Sequence, residues 1–546
     1  MKKVFYIIYY VLAILFLPAC NDVLDMKPLD KLSEEDVWKD QALIQLYVNT
    51  TYRALPSGFQ GDILTSASDE AYCIHNSGSY RLILRGELSP DNVSDLAWTL
   101  NYWKTAYSRL REINIFFSKI NDVPVEESFR KASIGEMTFL RAFIYANLLA
   151  RYGGFPIITN VFGLNEDYSV RRNSYDECVK YIVDELNSAI PLLPDKQPDS
   201  QLGRASADAC RALKSRVLLY AASPLVNTSN DKSKWQAAAD AAKELLNTNR
   251  YALESDYQQT FLKDNNEIIL ACSYSQANAT DFHLYQGRNG SNGWGAENPT
   301  QGLVDAFETL NGEQPYLDNG SVNLASGYDP NHPYDNRDPR LSAAILYDGS
   351  VWAGRETETY RGGLDSPESS IQSWNASMTG YYLKKFLHEE IPPTGGNIHP
   401  TSPWIFFRYG EILLNYAEAM FELGDENTAR EYLNIIRSRE SVQMPLIPIS
   451  VTGDALRKKI YNERRIELVF EGHRFFDVRR WKIAMETENV DMKGVNILID
   501  ENGIKTYDFN RAVLQRQFSE QHYWLPLPRA EIDKSLGTLE QSPIYK

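Results

Sequence analysis

The chain has 546 residues, 43% of them hydrophobic and 12% aromatic, enough to bury a large core. Its formal net charge of −16 excludes nucleic acid as a partner, because phosphate backbones call for basic surfaces, and it argues against adsorption on anionic lipid. Tyrosine (33) and tryptophan (10) are abundant, and such rings offer flat apolar faces on which the C–H faces of sugars stack.

Lys2 and Lys3 precede an apolar run from Val4 to Leu17, which ends in Leu17-Pro18-Ala19-Cys20. Basic, apolar, then small residues is the layout of a signal peptide, and the run is shorter than the about 20 residues a membrane span needs. A cysteine at the cut predicts removal of residues 1–19 and lipid attachment at Cys20, so that acyl chains hold the protein to a bilayer. Nothing after Leu17 is long and apolar enough to span one. The other four cysteines, Cys73, Cys178, Cys210 and Cys272, are far apart and form no CxxC or metal-type cluster, so buried thiols are expected.

Helical periodicity with identifiable ends then follows in chain order. The spacing predicts helices over Trp98–Ile120 and Ile134–Tyr152, the second stopped by Gly153-Gly154 and Pro156. Ser174, with Glu177 three residues on, reads as a capping box opening a helix that ends before Pro191. Ser206 caps a helix reaching Ala222, and Trp235–Leu246 follows. Towards the C-terminus, Phe407–Leu423 places Ile412, Leu413, Tyr416, Ala417, Met420 and Leu423 on one face, with Gly424 as its stop. Asp425 opens the next helix, and Asp454–Phe470 is the last. Neighbouring helices meet through alanines and tyrosines, which predicts a mainly α scaffold of about four tetratricopeptide-like hairpins. The expected organisation is a signal over 1–19, an N-terminal part over 20–265, a loop-rich region over 266–403 and a C-terminal helical part over 404–546.

The loop-rich region is full of Gly, Asn, Asp, Ser and Pro, with turn pairs such as Asn311-Gly312 and Asp348-Gly349. It carries the isolated aromatics Trp294, Trp352, Tyr360, Trp374, Tyr381, Tyr382 and, just beyond it, Trp404. Long loops on a rigid scaffold are where function usually sits.

The common catalytic spacings GxSxG, HExxH, GxGxxG and GxxxxGK[ST] are absent. Asp69-Glu70 is readable as a glycosidase carboxylate pair, although sequence neighbours seldom face each other across a substrate. Asp and Asn are plentiful in the loops but without EF-hand spacing, so no cofactor is expected and a structural calcium stays open. The densest charge cluster runs from Glu463-Arg464-Arg465-Ile466-Glu467 to Glu471, His473, Arg474, Asp477, Arg479 and Arg480. Glu463, Glu467 and Glu471 fall on one helical face, where they would repel. The interleaved arginines predict a structural ion-pair knot rather than a catalytic or metal site.

These same residues carry a family resemblance. Arg408-Tyr409-Gly410-Glu411-Ile412-Leu413-Leu414-Asn415-Tyr416-Ala417-Glu418-Ala419 resembles the SusD/RagB family of outer-membrane lipoproteins. So do Glu463–Leu468 with Glu471–Trp481, Phe139–Ala142 leading into Tyr152–Pro156, Gly203-Arg204-Ala205, Arg337–Leu341 and the ending Leu525-Pro526-Leu527-Pro528. The resemblance implies a non-catalytic, lipid-anchored binding protein on the outer membrane, facing the cell exterior. It would capture oligosaccharide or polysaccharide and pass it to a SusC-like TonB-dependent transporter. The implied glycan site is built from loops opposite the transporter-facing scaffold. Ser68–Asn76 is similar to the Thr-Asp-Glu loop of the starch-binding member, with His75 where that member has a stacking tryptophan. Trp294 matches a second stacking tryptophan, and Tyr285 a tyrosine. The expected ligand-binding set is therefore Trp294, Tyr285, Asp69, Tyr72, His75 and Asn76, with Arg81 added because a guanidinium donates to sugar hydroxyls. Two other functions compete: a glycoside hydrolase using Asp69 or Glu70, and a helical scaffold whose only ligand is protein.

Overall fold

A computed structural model describes residues 34–546 apart from 60–62, 98, 164–165, 167–168, 395–398 and 546. The expected signal and Cys20 lie outside the described residues. Among those residues, no helix is long and apolar enough to cross a membrane.

The main helices are α1 (Gln41–Thr51), α2 (Trp103–Lys119), α3 (Glu127–Tyr152), α4 (Tyr175–Ala189), α5 (Ala207–Ala222), α6 (Lys232–Leu246), α7 (Tyr409–Leu423), α8 (Glu426–Arg437), α9 (Gly453–Glu467) and α10 (Arg474–Arg480). The capping residues act as the sequence implies. Ser174 and Glu177 form a reciprocal capping box on α4, and the Ser206 hydroxyl accepts from the Ala209 N–H at the start of α5. Gly424 closes α7 in the left-handed region at φ 96°, where a side chain would be strained.

From α2 to α9 each of these helices packs on the next. The run includes α6 on α7, which lie on either side of the loop-rich region, so the stack is continuous and the loops form a layer laid on it. Buried alanines, among them Ala209, Ala212, Ala238, Ala239 and Ala242, let α5 and α6 approach closely.

Beyond two helix starts that move, from Trp98 to Trp103 and from Ile134 to Glu127, three expectations shift. The helix expected from Phe407 starts at Tyr409, because Trp404–Arg408 is strand β4, paired antiparallel with β2 (Ile268–Cys272). The helix expected to reach Phe470 stops at Glu467; Phe470 and Gly472 take positive φ (64° and 79°) and redirect the chain into α10. The expected loop region is also less solvated than its composition implies. Trp352, Tyr381, Tyr382 and Trp404 are all buried, leaving Trp294 and Trp374 as its exposed tryptophans. A hairpin of β5 (Met492–Ile499) and β6 (Lys505–Leu514) was not among the expected elements.

The acidic face of α9 is the ionic centre of the molecule. Glu467 is fully buried and meets Arg439 at 2.6 Å, Arg408 at 2.8 Å and Arg340 at 3.1 Å. One turn away, Glu463 is held by Arg340 and Arg437 at 2.6 and 2.7 Å. Past the end of the helix, Glu471 is held by Arg408 and Lys385 at 2.8 and 2.7 Å. Glu267, next to β2, closes the ring on Arg408 and Arg439. The knot is structural, as expected, but the interleaved arginines are not its cations: Arg464 turns to Asp477 at 2.8 Å, and Arg465 to Asp69 and Glu70. The partners arrive instead from α8, β4, the loop layer and the α8–α9 connection. Burial alone would raise the pKa of Glu467, but the guanidinium groups of Arg439, Arg408 and Arg340 outweigh it and hold the carboxyl well below the usual range.

Glu467→Gln leaves buried guanidinium charge uncompensated. It is expected to cost about 3–5 kcal/mol of stability, read as a lowered midpoint in thermal or urea unfolding. A loss of less than about 1 kcal/mol would show that the knot is replaceable.

Candidate functional site

Two segments more than two hundred residues apart meet where β1 (Ala71–Cys73) pairs antiparallel with β3 (Glu297–Pro299). The pairing continues through Ile74 N–H to the Ala296 carbonyl, which puts the loop after β1 against the turn before β3. That turn is built on the short helix Phe282–Gln286. The N–H of Trp294 donates to the Leu284 carbonyl at 2.7 Å, that of Gly295 to Gly287 and that of Ala296 to Tyr285. Glycines flank the tryptophan for steric reasons. A Cβ on Gly293 would sit 2.2 Å from the Gly287 carbonyl, and one on Gly295, whose φ is 51°, 2.4 Å from the Asn375 carbonyl oxygen.

So held, Trp294 stays 36% exposed. The Tyr285 ring lies edge-on at 4.9 Å between centroids, and the His75 ring edge-on at 6.1 Å. His75 Nε2 reaches the Trp294 carbonyl at 2.8 Å, tying the two segments together. Asn76 takes a positive φ of 51°, and its Oδ1 accepts from the Arg81 N–H. Arg81 spans the loop from behind, donating to the Ile74 carbonyl at 2.9 Å with its guanidinium 5.1 Å from the centre of the Tyr72 ring.

Of the seven expected ligand-binding residues, the structure gathers Trp294, Tyr285 and His75 at a surface and sets Asn76 and Arg81 as loop supports beside them. Two are placed otherwise. Tyr72 is buried, packed with Leu84 and Met492. Asp69 is clamped by Arg474 through Nε and Nη2, both at 2.8 Å, and by Arg465 at 3.1 Å. Burial works against its ionisation, but Arg465 and Arg474 outweigh it and keep its carboxyl well below the ordinary range. Its acceptor capacity is therefore spent inside the protein. Glu70 is 2% exposed and joined to Arg465 at 3.3 Å. Burial pushes its carboxyl up to about 7, a value that suits a general acid. The side chain is nevertheless buried against Arg465, and Asp69 beside it is held by Arg474, so both carboxylates are engaged by arginines.

Sequence reasoning left Trp374 out of the site. It is 77% exposed on the turn Ser373–Asn375. Gln372 Nε2 donates to Asn292 Oδ1 at 3.4 Å, and the Asn375 carbonyl abuts Gly295, so the turn leans on the one carrying Trp294. An isolated tryptophan in a Ser/Asn-rich loop was the signal; no spacing tied it to Trp294. Among the described residues, no group of three or more His, Cys, Asp or Glu side chains is placed to hold a metal ion. Cys178 and Cys210 are buried thiols, as expected, and Cys272 is a partly buried one.

A helical stack overlaid by a loop layer that presents an aromatic cluster defines a class of scaffolded binding proteins. The family model described as SusD family matches residues 247–545, more than half of the chain, and the chain belongs to that family. A second model, described as starch-binding and associating with the outer membrane, matches residues 22–219. The SusD-like protein P2 of Formosa agariphila is 25% identical over 580 residues, covering both chains fully. A SusD-like protein from Bacteroides fragilis of known structure is 29% identical with a TM-score of 0.79, over 95% of this chain and 99% of its own. A SusD-like carbohydrate-binding protein from the same species is 25% identical with a TM-score of 0.76, over 93% and 100%.

Asp69→Asn and Trp294→Ala separate support from surface. The first is expected to destabilise by about 3 kcal/mol at pH 7, the second by less than about 1 kcal/mol. Because the folded-state pKa of Asp69 is depressed, its stabilisation is complete above the unfolded value of about 3.9 and lost as pH falls through the folded value. The gap between wild type and Asp69→Asn should thus be flat above pH ~5 and close below pH ~4. A gap that ignores acid would contradict the clamp.

Proposed function

We propose that this chain is a non-catalytic glycan-binding protein of the outer membrane, anchored at Cys20 and facing the cell exterior, which hands oligosaccharide or polysaccharide to a partner TonB-dependent transporter. The observation that carries the reading is the exposed Trp294 with Tyr285 and His75 packed edge-on around it and Trp374 on the adjoining turn. Tryptophan left in water costs free energy that a sugar face recovers by covering it. Held by backbone bonds on glycine-flanked turns, the rings lose little entropy when a ligand stacks on them. Family membership and the carbohydrate-binding relative support the same reading. The lipid would keep the site at high effective concentration over its transporter. Both readings weighed against it lack such an observation, since Asp69 and Glu70 are consumed by arginines and nothing singles out a protein ligand.

The test is affinity gel electrophoresis of the mature protein against a panel of neutral and acidic polysaccharides, with reducing-end assays on the same mixtures. At least one polysaccharide should retard the protein without being cleaved. Trp294→Ala should weaken that binding by about tenfold or more, and Trp374→Ala by several-fold. Product release, or retardation unchanged in Trp294→Ala, would refute the site.

A further inference from the structure

A second cleft lies along the β5–β6 hairpin. It encloses about 440 Å³ between the hairpin and segment 359–368, which is joined to it by the Arg361 N–H donating to the Ile497 carbonyl at 2.9 Å. Its polar lining includes Thr359, Arg361, Glu368, Asn496, Asp508 and Arg511.

The lining results from a bulge. Asp508 opposes Asn496 and Arg511 opposes Gly494, so Phe509 and Asn510 together face the single residue Val495. In a regular ladder, residue 510 would oppose Gly494 and Arg511 would point to the other face. The extra residue turns Arg511 onto the face shared by Asn496 and Asp508. There its guanidinium is half-buried and has no ion pair or hydrogen bond with any described residue. Other arginines buried in this chain have acceptors: Arg340, Arg408 and Arg464 are met by carboxylates, and Arg151, Arg337 and Arg479 by backbone carbonyls. Burial depresses the pKa of Arg511, and the opposing pull of Glu368 in the same cleft does not make up for it. The Thr359 hydroxyl in the same lining is also buried without a partner. At the rim Arg361 is exposed and only 4.0 Å from Glu368, a loose pair.

The same hairpin joins the cleft to the aromatic cluster. Met492, Val513 and Leu514 at its open end pack with Tyr72 and Ile74, the residues leading into His75.

We propose that this cleft is a second sugar subsite for an acidic residue of the glycan, with a carboxylate or sulfate group on Arg511, Arg361 at its rim, and ring hydroxyls on Asp508, Asn496 and Thr359. The proposal deepens the glycan reading above and rests on it. The planar guanidinium matches both anions in bidentate geometry. With a net charge of −16, the molecule offers an anion no long-range attraction, so recognition depends on contact with these groups.

Isothermal titration of the mature wild type, Arg511→Gln, Arg511→Lys and Trp294→Ala with polygalacturonate, dextran sulfate and dextran tests this. Wild type should bind at least one acidic polymer, and Arg511→Gln should weaken it by about tenfold or more, with Arg511→Lys in between and dextran unaffected. Which acidic polymer responds identifies carboxylate or sulfate. Thermal melts of the variants confirm that each is folded. No acidic binding by wild type, or equal binding by Arg511→Gln, overturns the subsite. Neutral-glycan binding that still depends on Trp294 would leave the aromatic site standing in that case. Acidic binding lost in Arg511→Gln but kept in Trp294→Ala would sustain the cleft and count against the Trp294 site.

Discussion

Three glutamates spaced four residues apart, two on α9 and one just past its end, cannot share a dry interior unless cations reach them, and most of this architecture follows from how they are reached. Glu463, Glu467 and Glu471 draw in Arg340 from the loop layer, Arg408 from β4, Arg437 from α8, Arg439 from the connection after it, and Lys385 from the loops. The five cations come from four separate stretches of chain, so satisfying the acids fixes where those stretches lie. Pairing of this kind adds little net stability over an apolar core of equal volume, but breaking one half is costly. Its effect is to make the loop layer and helical stack one body, where apolar burial alone would tolerate many orientations.

The same cluster reaches the surface around Trp294 from behind. Arg465, two residues before Glu467, and Arg474 of α10 take Asp69 and Glu70. Those acids open the segment that becomes β1, and β1 pairs with the strand following Trp294. A chain of direct contacts thus runs from the buried knot, through the carboxylates, to the tryptophan. It explains why the loop holds acids that look like sugar ligands in a linear reading and yet give their oxygens to arginine. It also lets a positive-φ residue such as Asn76 sit at the surface, because the backbone on either side is already constrained.

Helix ends were legible because capping is local: Ser174, Ser206, Gly424 and Asp425 act within a turn of their own position. The meeting of Trp294, Tyr285 and His75 was reachable through family resemblance, not through spacing. What escaped was decided by tertiary contact. Phe407 has a helical period with its successors, yet β2 captures it. Trp352, Tyr381 and Tyr382 share the exposed-looking surroundings of Trp374 and are buried all the same, since composition reports solvation on average and not by residue. Asp69 shows the limit most sharply, because its partners lie about four hundred residues away.

If the knot positions the binding loop, loosening the Arg474 clamp must free that loop and little else. Hydrogen–deuterium exchange on Arg474→Gln measures this directly. Amides of 69–76 and of 294–299 should exchange faster than in wild type, while those of α5 and α6 keep their protection. Unchanged exchange in 69–76, with α5 and α6 equally unaffected, would contradict the account, since the loop would then be held without the arginine.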